Sequence, residues 1–241
     1  MRKLEICCGS IEDVKIALEY DIDSIELNTS LSLGGITPTI GTLRATKAMT
    51  DVPVYCMNRP VPGGFVYTES EFEMMRLDGK ILLENGADGL VFGCLTDDLT
   101  IDVEKTTEMI NLAHQYEKQA IFHMAIDGTK DVVTAYKLLV ELGIDRVLTS
   151  GGAKTAFEGI ETLRTMNQIN PDKLIIGAGI NGNTIDHFNE FNYIHASCKT
   201  LTYRNNGTEQ IHQNYVGSNV QQQVDTNCVS ALVNAIKGNN N

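Results

Sequence analysis

Short strand-like runs and amphipathic helix-like stretches alternate along the 241-residue chain, and this alternation constrains the fold more than any single motif. The predicted strands, rich in apolar and β-branched residues, are KLEICC (3–8), SIELN (24–28), VPVYCMNR (52–59), GLVFG (89–93), AIFHMAID (120–127), RVLTS (146–150), KLIIGAG (173–179) and YIHASC (193–198). Stretches of helical periodicity such as VVTAYKLLVELG separate them. Eight β-then-α units in this length predict a TIM (β/α)8 barrel, an α/β fold, as a single domain over 1–241.

A doubly wound open sheet is the alternative that such an alternation allows. That fold normally carries a GxGxxG loop after its first strand, and no such loop follows the first predicted strand here, which favours the barrel. After the eighth predicted strand, the polar segment 204–223 predicts a long loop over the barrel mouth, the end at which the strands reach their carboxyl termini. Residues 238–241 are expected to form a frayed tail.

The net charge and the cysteines limit the cellular compartment and the kinds of binding partner that we expect for the chain. A formal net charge of −12 argues against nucleic acid and anionic membranes as partners. The sequence shows no signal peptide and no apolar run long enough for a membrane helix, so a cytoplasmic location is expected. The six cysteines, at 7, 8, 56, 94, 198 and 228, are then expected to be reduced thiols.

Residues of a barrel strand face alternately the surrounding helices and the barrel interior. One parity of the predicted strands is apolar and is assigned to the helix layer: Leu4, Ile6, Ile25, Leu27, Phe122, Ile126, Ile194 and Ala196. The other parity is largely polar and is expected to face the interior: Glu5, Cys7, Glu26, Asn28, Arg59, His123, Asp127, His195 and Ser197. Burying so many polar groups without a partner is costly, so they indicate either a ligand site or a network of ion pairs.

Several inward residues lie near the carboxyl ends of their strands, where TIM barrels place their active sites. The candidate catalytic residues are therefore Glu26, Arg59, His123, Asp127 and His195. Carboxylates and imidazoles suit general acid–base chemistry, and an arginine suits a bidentate grip on a carboxylate or phosphate. The structural alternative is that the same groups pair with one another and plug the barrel.

The two adjacent cysteines that end the first strand have opposite parity. Cys7 is expected to face the interior, and Cys8 the helix layer, where a free cysteine behaves as a small apolar residue. An interior thiol suits either a nucleophile or a soft metal, since Cu(I) prefers thiolate, thioether and imidazole ligands. The candidate metal ligands are Cys7, His123 and His195, with Cys8 a weaker candidate and Met57 also of inward parity.

Three loops that follow predicted strands are rich in small residues and suggest an anion site. Backbone N–H groups in the loops after strands seven and eight of TIM barrels often converge on a phosphate. The candidate anion-binding residues are Thr149, Ser150, Gly151, Gly177, Gly179 and Ser197, and Lys154 or Lys199 would add positive charge. The alternative is that these glycines only permit tight turns.

Ten stretches along almost the whole chain together resemble the CutC family. They are LEICC (4–8), IELN (25–28), GGITPTIG (34–41), NRPVPGGFVYTESEF (58–72), GLVFGCL (89–95), FHMAID (122–127), LGIDRVLTSGG (142–152), IIGAGI (175–180), IHASC (194–198) and YRNNG (203–207). The resemblance implies a TIM barrel and a role in copper homeostasis. Three stretches depart from the family pattern. Met124 and Ile126 stand where an arginine and a phenylalanine are usual, the loop 61–65 lacks the usual second arginine and aspartate, and the eighth strand ends HAS (195–197) where HSS is usual.

Three functions follow from these observations. The resemblance implies a cytosolic protein of copper homeostasis that binds Cu(I) through cysteine, histidine and methionine near the barrel mouth. The inward polar residues and glycine loops favour instead an enzyme that acts on a small anionic substrate, phosphorylated or not. The third option is a regulatory protein that acts through its oligomer, and a homodimer or higher homo-oligomer is expected in any case.

Overall fold

The computed structural model describes residues 2–203 and 220–238. Its centre is a closed barrel of eight parallel strands in sequential order. The strands are β1 (Lys3–Cys8), β2 (Ser24–Leu27), β3 (Val54–Met57), β4 (Gly89–Phe92), β5 (Gln119–Phe122), β6 (Arg146–Thr149), β7 (Leu174–Ile176) and β8 (Tyr193–Ala196). The pairing of β8 with β1 closes the barrel, which confirms the TIM-barrel prediction and excludes the doubly wound sheet.

Seven α-helices surround the barrel in the described residues. They are α1 (Ile11–Ala17), α2 (Ile40–Lys47), α3 (Glu69–Glu84), α4 (Val103–Gln115), α5 (Val132–Glu141), α6 (Ile160–Ile169) and α7 (Thr226–Lys237). Short 3₁₀ segments occupy Leu31–Leu33, Met124–Gly128 and Ile185–Phe188. Within residues 2–203 and 220–238, every helix is too short or too polar to cross a lipid bilayer.

Side-chain packing divides into an outer and an inner layer. The apolar faces of the strands pack against the helices in one continuous core, which includes Leu4, Ile6 and Cys8 of β1. A smaller cluster fills the barrel interior: Tyr55, Met57, Val91, Ile121, Leu148 and Ile175. Because the interior apolar residues come mainly from β3 to β7, the interior of β1, β2 and β8 is left to polar side chains.

Every predicted strand except β1 ends earlier than the sequence suggested, and β5 ends earliest relative to its prediction. Strand β5 stops at Phe122, and the following residues form the 3₁₀ segment Met124–Gly128, so Asp127 does not lie on a strand. His123 causes the break, because its Nδ1 accepts a hydrogen bond from the Ala125 N–H at 3.1 Å and caps the segment. Likewise Arg59 lies two residues beyond the end of β3 at Met57.

A two-stranded antiparallel hairpin follows the barrel, formed by β9 (Lys199–Tyr203) and β10 (Val220–Val224). Residues 220–223, predicted as the end of a loop, are therefore part of a strand, and the polar run QQQ concealed it because the run lacks the usual alternation. The rest of that predicted loop, 204–219, and residues 239–241 of the predicted tail lie outside the described residues.

Candidate functional site

The Cys7 sulfur lies inside the barrel and is approached by nitrogen donors from two other elements. The Asn28 Nδ2 donates to Sγ at 3.2 Å, and the Lys199 Nζ donates to it at 3.5 Å. Asn28 follows β2, and Lys199 begins β9, so the donors reach the sulfur from two sides. N–H donors aimed at a sulfur stabilise negative charge on it, which is the environment of a reactive thiol.

A buried ion pair lies beneath Cys7. His195 Nδ1 is 2.9 Å from Glu5 Oε1, and Ser24 Oγ donates to the other oxygen of the same carboxylate at 2.9 Å. Burial opposes charge on His195, but Glu26 and hydrogen bonds to Cys7 and Glu5 raise the pKa of His195 well above its usual range. Burial likewise opposes charge on Glu5, yet His195 and Ser24 lower its pKa, so this pair is ionised.

Glu26 completes the group around the sulfur. It pairs with Cys7 in the β1–β2 register and accepts a hydrogen bond from Asn28 Nδ2 at 3.0 Å. One ligand atom each from Cys7, Glu26 and His195 lies within 4.8 Å of the others, and all three residues are buried. This is a group that could hold a metal ion, and it combines a soft sulfur and an imidazole with a hard carboxylate.

These residues line a cavity of about 180 Å³ at the barrel mouth, which we call the inner cavity. Its lining residues are Cys7, Glu26, Asn28, Leu31, Gly34, Met57, Arg59, Phe65, His123, Met124, Leu148 and His195. Three buried polar atoms of this lining have no hydrogen-bond partner, Asn28 Oδ1, Arg59 Nε and His123 Nε2. Unpaired buried polar atoms are costly, so one acceptor and two nitrogens of the lining are left for a ligand.

His123 is a neutral hydrogen-bond donor. Burial, reinforced by the positive charge of Arg59, lowers the pKa of His123 to about 3. Since its Nδ1 accepts the Ala125 N–H, the proton of the neutral ring lies on Nε2. The predicted role of His123 as a metal ligand does not fit this arrangement, because neither nitrogen offers a free lone pair.

Arg59 is buried beside the inner cavity but is largely committed to the backbone. Its Nη1 donates to the carbonyls of Leu33 and Gly35, each at 3.0 Å, and its Nη2 donates to the carbonyl of Gly63 at 2.7 Å. Its guanidinium also lies 5.1 Å from the centre of the Phe65 ring. Arg59 therefore fixes two loops at the mouth, rather than pairing with Glu26 or Asp127 in the network that was the structural alternative.

Asp127 lies away from the inner cavity and binds the loop that was predicted to bind an anion. Its carboxylate accepts the backbone N–H of Gly152 at 2.7 Å, the N–H of Ser150 at 3.0 Å and the hydroxyl of Thr149. The N–H of Gly151 donates to Thr149 Oγ1 at 2.9 Å. The prediction of a free anion nest at 149–151 is therefore corrected, because an internal carboxylate already occupies it.

The remaining predicted anion-binding residues divide between two places. The Gly177 N–H donates to the Thr149 carbonyl, and a Cβ there would lie 2.8 Å from Leu148 Cδ1, so Gly177 provides room for a leucine of the inner cavity. Gly179 and Ser197 line a second cavity of about 660 Å³, which we call the outer cavity. Because His195 and Met124 line both cavities, the outer cavity adjoins the inner one.

Cys8 is separated from the site by the wall of the barrel. Its side chain is fully buried in the outer core, and burial raises the pKa of the Cys8 thiol well above its ordinary value. The strand is regular through both cysteines, since β1 pairs with β2 as far as Cys8. The weaker metal-ligand prediction for Cys8 is therefore not supported by the geometry.

Three residues of the site were not among the candidate site residues from the sequence. Asn28 and Glu5 carry the inward parity, and their spacing of two from Glu26 and Cys7 was the available signal. Lys199 was considered only as extra charge for an anion loop, and its position above Cys7 depends on the β9–β10 pairing. Lys154, the other lysine considered, is exposed on the β6–α6 loop.

Comparisons with known proteins agree with this architecture. The CutC family model matches residues 2–200. The CutC family protein of Treponema denticola is 45% identical over 68% of this chain and 66% of its own length, and that of Photorhabdus laumondii is 33% identical over 96% of both. A crystal structure of the Streptococcus agalactiae CutC, named for copper homeostasis, superposes with a TM-score of 0.74 at 25% identity, covering 82% of this chain and 99% of that one. The chain belongs to the CutC family.

Proposed function

We propose that this protein acts on a small anionic molecule bound in the inner cavity, with the Cys7 thiol as its nucleophile. The observation that carries the proposal is the convergence of Asn28 Nδ2 and Lys199 Nζ on Cys7 Sγ, directly above the charged His195. Nucleophilic cysteines need donors or positive charge beside the sulfur to hold it as a thiolate. At Cys8, by contrast, burial outweighs the positive charge of Lys199 and raises the pKa of the thiol.

The local charge favours an anionic substrate despite the acidic protein. Arg59 and His195 contribute two positive charges to the lining of the inner cavity, whereas Glu26 contributes one negative charge. Outside this lining, Lys199 adds a positive charge above Cys7, and Glu5 adds a negative charge below it. Apart from the sulfur itself, the groups around Cys7 therefore carry one positive charge in excess in a chain of net charge −12, and electrostatics in a buried site act more strongly than at the surface.

The other polar groups have complementary roles in such a reaction. His123 Nε2–H donates to an oxygen of the substrate, and Asn28 Oδ1 accepts from a polar hydrogen. His195 is the proton donor next to the sulfur, and Glu5 holds its ring in place. Glu26 is the carboxylate positioned to accept a proton from the substrate.

The test measures alkylation of individual cysteines by iodoacetate and by its neutral analogue iodoacetamide. In each case a bond forms between sulfur and the CH₂ carbon, the carbon–iodine bond breaks to release iodide, and the thiol proton goes to solvent. Peptide mass spectrometry gives the rates at Cys7 and at Cys228, a half-buried cysteine on α7. We expect the iodoacetate-to-iodoacetamide rate ratio to be about fivefold higher at Cys7, as one net charge at close range would produce.

Two variants make the test specific. Lys199→Met should lower the ratio at Cys7 to that at Cys228, because it removes the ammonium 3.5 Å from the sulfur. Lys154→Met removes an exposed lysine from the β6–α6 loop and should leave the ratio unchanged. An equal ratio at the two cysteines of the wild-type protein would overturn the proposal.

A second candidate function is binding of Cu(I), in keeping with the copper homeostasis named for the Streptococcus agalactiae relative. The observation that favours it is the group of Cys7, Glu26 and His195, whose ligand atoms lie within 4.8 Å of one another. Met57 lines the same cavity and would add a thioether. The donor set fits copper in its sulfur and imidazole, and His195 must release a proton before its nitrogen can bind.

Anaerobic titration of Cu(I) against a chelator of known affinity tests this second function. Cys7→Ser should lose tight binding, whereas Cys8→Ala, which changes the neighbouring sulfur in the outer core, should retain it. If wild type and Cys7→Ser bind Cu(I) equally, the copper proposal for this site is wrong. The alkylation experiment is run without copper, so its result is independent of this one.

A further inference from the structure

We propose that Asp13 is a positioning residue that holds Lys199 above Cys7 by tying the β9–β10 hairpin to the end of β1. The inference rests on the proposed function, because it explains how the cation that selects an anionic substrate is placed. Asp13 lies in the first turn of α1 and does not touch the inner cavity. Its effect on the site is therefore through the backbone of other elements.

Asp13 is a fully buried carboxylate whose two oxygens bind different parts of the chain. Oδ2 accepts the N–H of Gly9 at 2.9 Å, and Oδ1 accepts the N–H of Val224 at 2.8 Å, although Val224 is 211 residues away. Helix capping does not account for the Asp13 carboxylate, because Ser10 already caps α1 by accepting the Asp13 N–H. Burying a carboxylate is costly, so a contact that spans two distant elements calls for a function beyond capping.

The two hydrogen bonds of Asp13 reach the segments that carry Cys7 and Lys199. Gly9 follows β1, two residues after Cys7, and Val224 is the last residue of β10. Val224 pairs with Lys199 in the hairpin register. One carboxylate therefore connects the strand that carries the sulfur with the strand pair that carries the ammonium, and it sets the 3.5 Å contact between Lys199 Nζ and Cys7 Sγ.

A second hydrogen bond holds the hairpin to the barrel but does not set the distance between Lys199 Nζ and Cys7 Sγ. The N–H of Asp225 donates to the carbonyl of Cys198 at 2.7 Å, which closes the base of the hairpin at the end of β8. When the bond to Asp13 is lost, this contact keeps the hairpin attached while β10 is free to shift relative to α1. The expected result is a displaced Lys199 in a folded protein.

The experiment uses Asp13→Asn and the same alkylation ratio at Cys7. The amide cannot accept both N–H groups, so we expect the iodoacetate-to-iodoacetamide ratio to fall about as far as in Lys199→Met. In Lys199→Met, adding Asp13→Asn should change the ratio no further, because the cation to be positioned is absent. A merely structural role would expose Cys7 to both reagents equally and leave the ratio unchanged.

Two further variants keep the inference falsifiable. Asp102→Asn removes a carboxylate that caps α4 by accepting the Lys105 N–H, and it should leave the ratio at its wild-type value. If Asp13→Asn does not fold, Val224→Pro removes the same hydrogen bond from the other side and should lower the ratio. If the variant that breaks this bond folds and keeps the wild-type iodoacetate-to-iodoacetamide ratio at Cys7, the inference about Asp13 is wrong but the proposed function is unaffected. If wild type itself shows no preference for iodoacetate at Cys7, the proposed function is wrong.

Discussion

His195 on β8 and Glu5 on β1 face each other across the seam that closes the barrel, with Nδ1 and Oε1 2.9 Å apart. Both side chains are buried, and Ser24 satisfies the second oxygen of the carboxylate. The pair therefore joins barrel closure to the site, because the same imidazole offers a nitrogen within 4.8 Å of the Cys7 sulfur. A change at this seam is expected to affect stability and thiol chemistry together.

The first prediction is that Glu5→Gln destabilises the protein by roughly 3 kcal/mol, since removing one member of a buried ion pair leaves an uncompensated charge. Urea unfolding monitored by circular dichroism measures the change. The matched control is His114→Gln, which breaks a half-exposed pair of 2.9 Å with Asp145 and should cost less than about 1 kcal/mol. Equal costs for the two variants would contradict the assignment of Glu5 and His195 as a buried pair.

The second prediction concerns the pH dependence that His123 imposes on stability. Its pKa is about 3 in the folded protein, so below an unfolded-state pKa of about 6.5 the unfolded chain binds more protons. The difference in unfolding free energy between wild type and His123→Asn is therefore greatest above about pH 6.5. It falls by about 1.4 kcal/mol per pH unit as the pH is lowered from there toward 3.

Unfolding free energies of wild type and His123→Asn between pH 7.5 and pH 5 measure this difference. Asparagine is the suitable replacement because its side-chain oxygen can still accept the Ala125 N–H. The contribution of the Glu5–His195 pair cancels, since both proteins contain it. A difference that stays constant over this range, or that grows as the pH falls, would show that His123 is charged in the folded protein.

The third prediction separates Asp127 from the chemistry of the site. Asp127→Asn should destabilise the protein by about 2 kcal/mol, because the loop donors Ser150 and Gly152 lose a charged acceptor. The iodoacetate-to-iodoacetamide ratio at Cys7 should remain within about twofold of wild type, since Asp127 does not line the inner cavity. Unchanged stability together with a much lower ratio at Cys7 would instead mean that Asp127 acts in the site.

The repeating pattern of the sequence was sufficient to predict the barrel, and the interiors of the strands were easier to place than their ends. Strand β1 begins and ends at the predicted residues because its alternation is strong up to Cys8. The stretch after Phe122 was predicted to continue as a strand, but a local bond between His123 and Ala125 ends it. Such a side-chain-to-backbone bond leaves no mark on hydrophobic periodicity.

Strand parity placed part of the site, and contacts between distant segments determined the rest. Cys7, Glu26 and His195 form one group because their strands are neighbours around the barrel, which the strand order implies. The occupation of the loop at 149–152 by Asp127, and the approach of Lys199 to Cys7, depend on how loops pack after the barrel has formed. Neither contact has a local signal in the sequence.

The last prediction concerns the space around His123. A Cβ at Gly93, beyond the end of β4, would lie 2.5 Å from His123 Cε1 and 2.8 Å from the Ala125 Cβ. Gly93→Ala should therefore destabilise the protein by about 1–3 kcal/mol, as overpacking of a filled interior does. Gly64→Ala is the matched control, because a Cβ at Gly64 meets nothing within 4 Å. Thermal unfolding of the two variants measures the effect, and equal melting temperatures would mean that the His123 ring can move aside and is not fixed at the inner cavity.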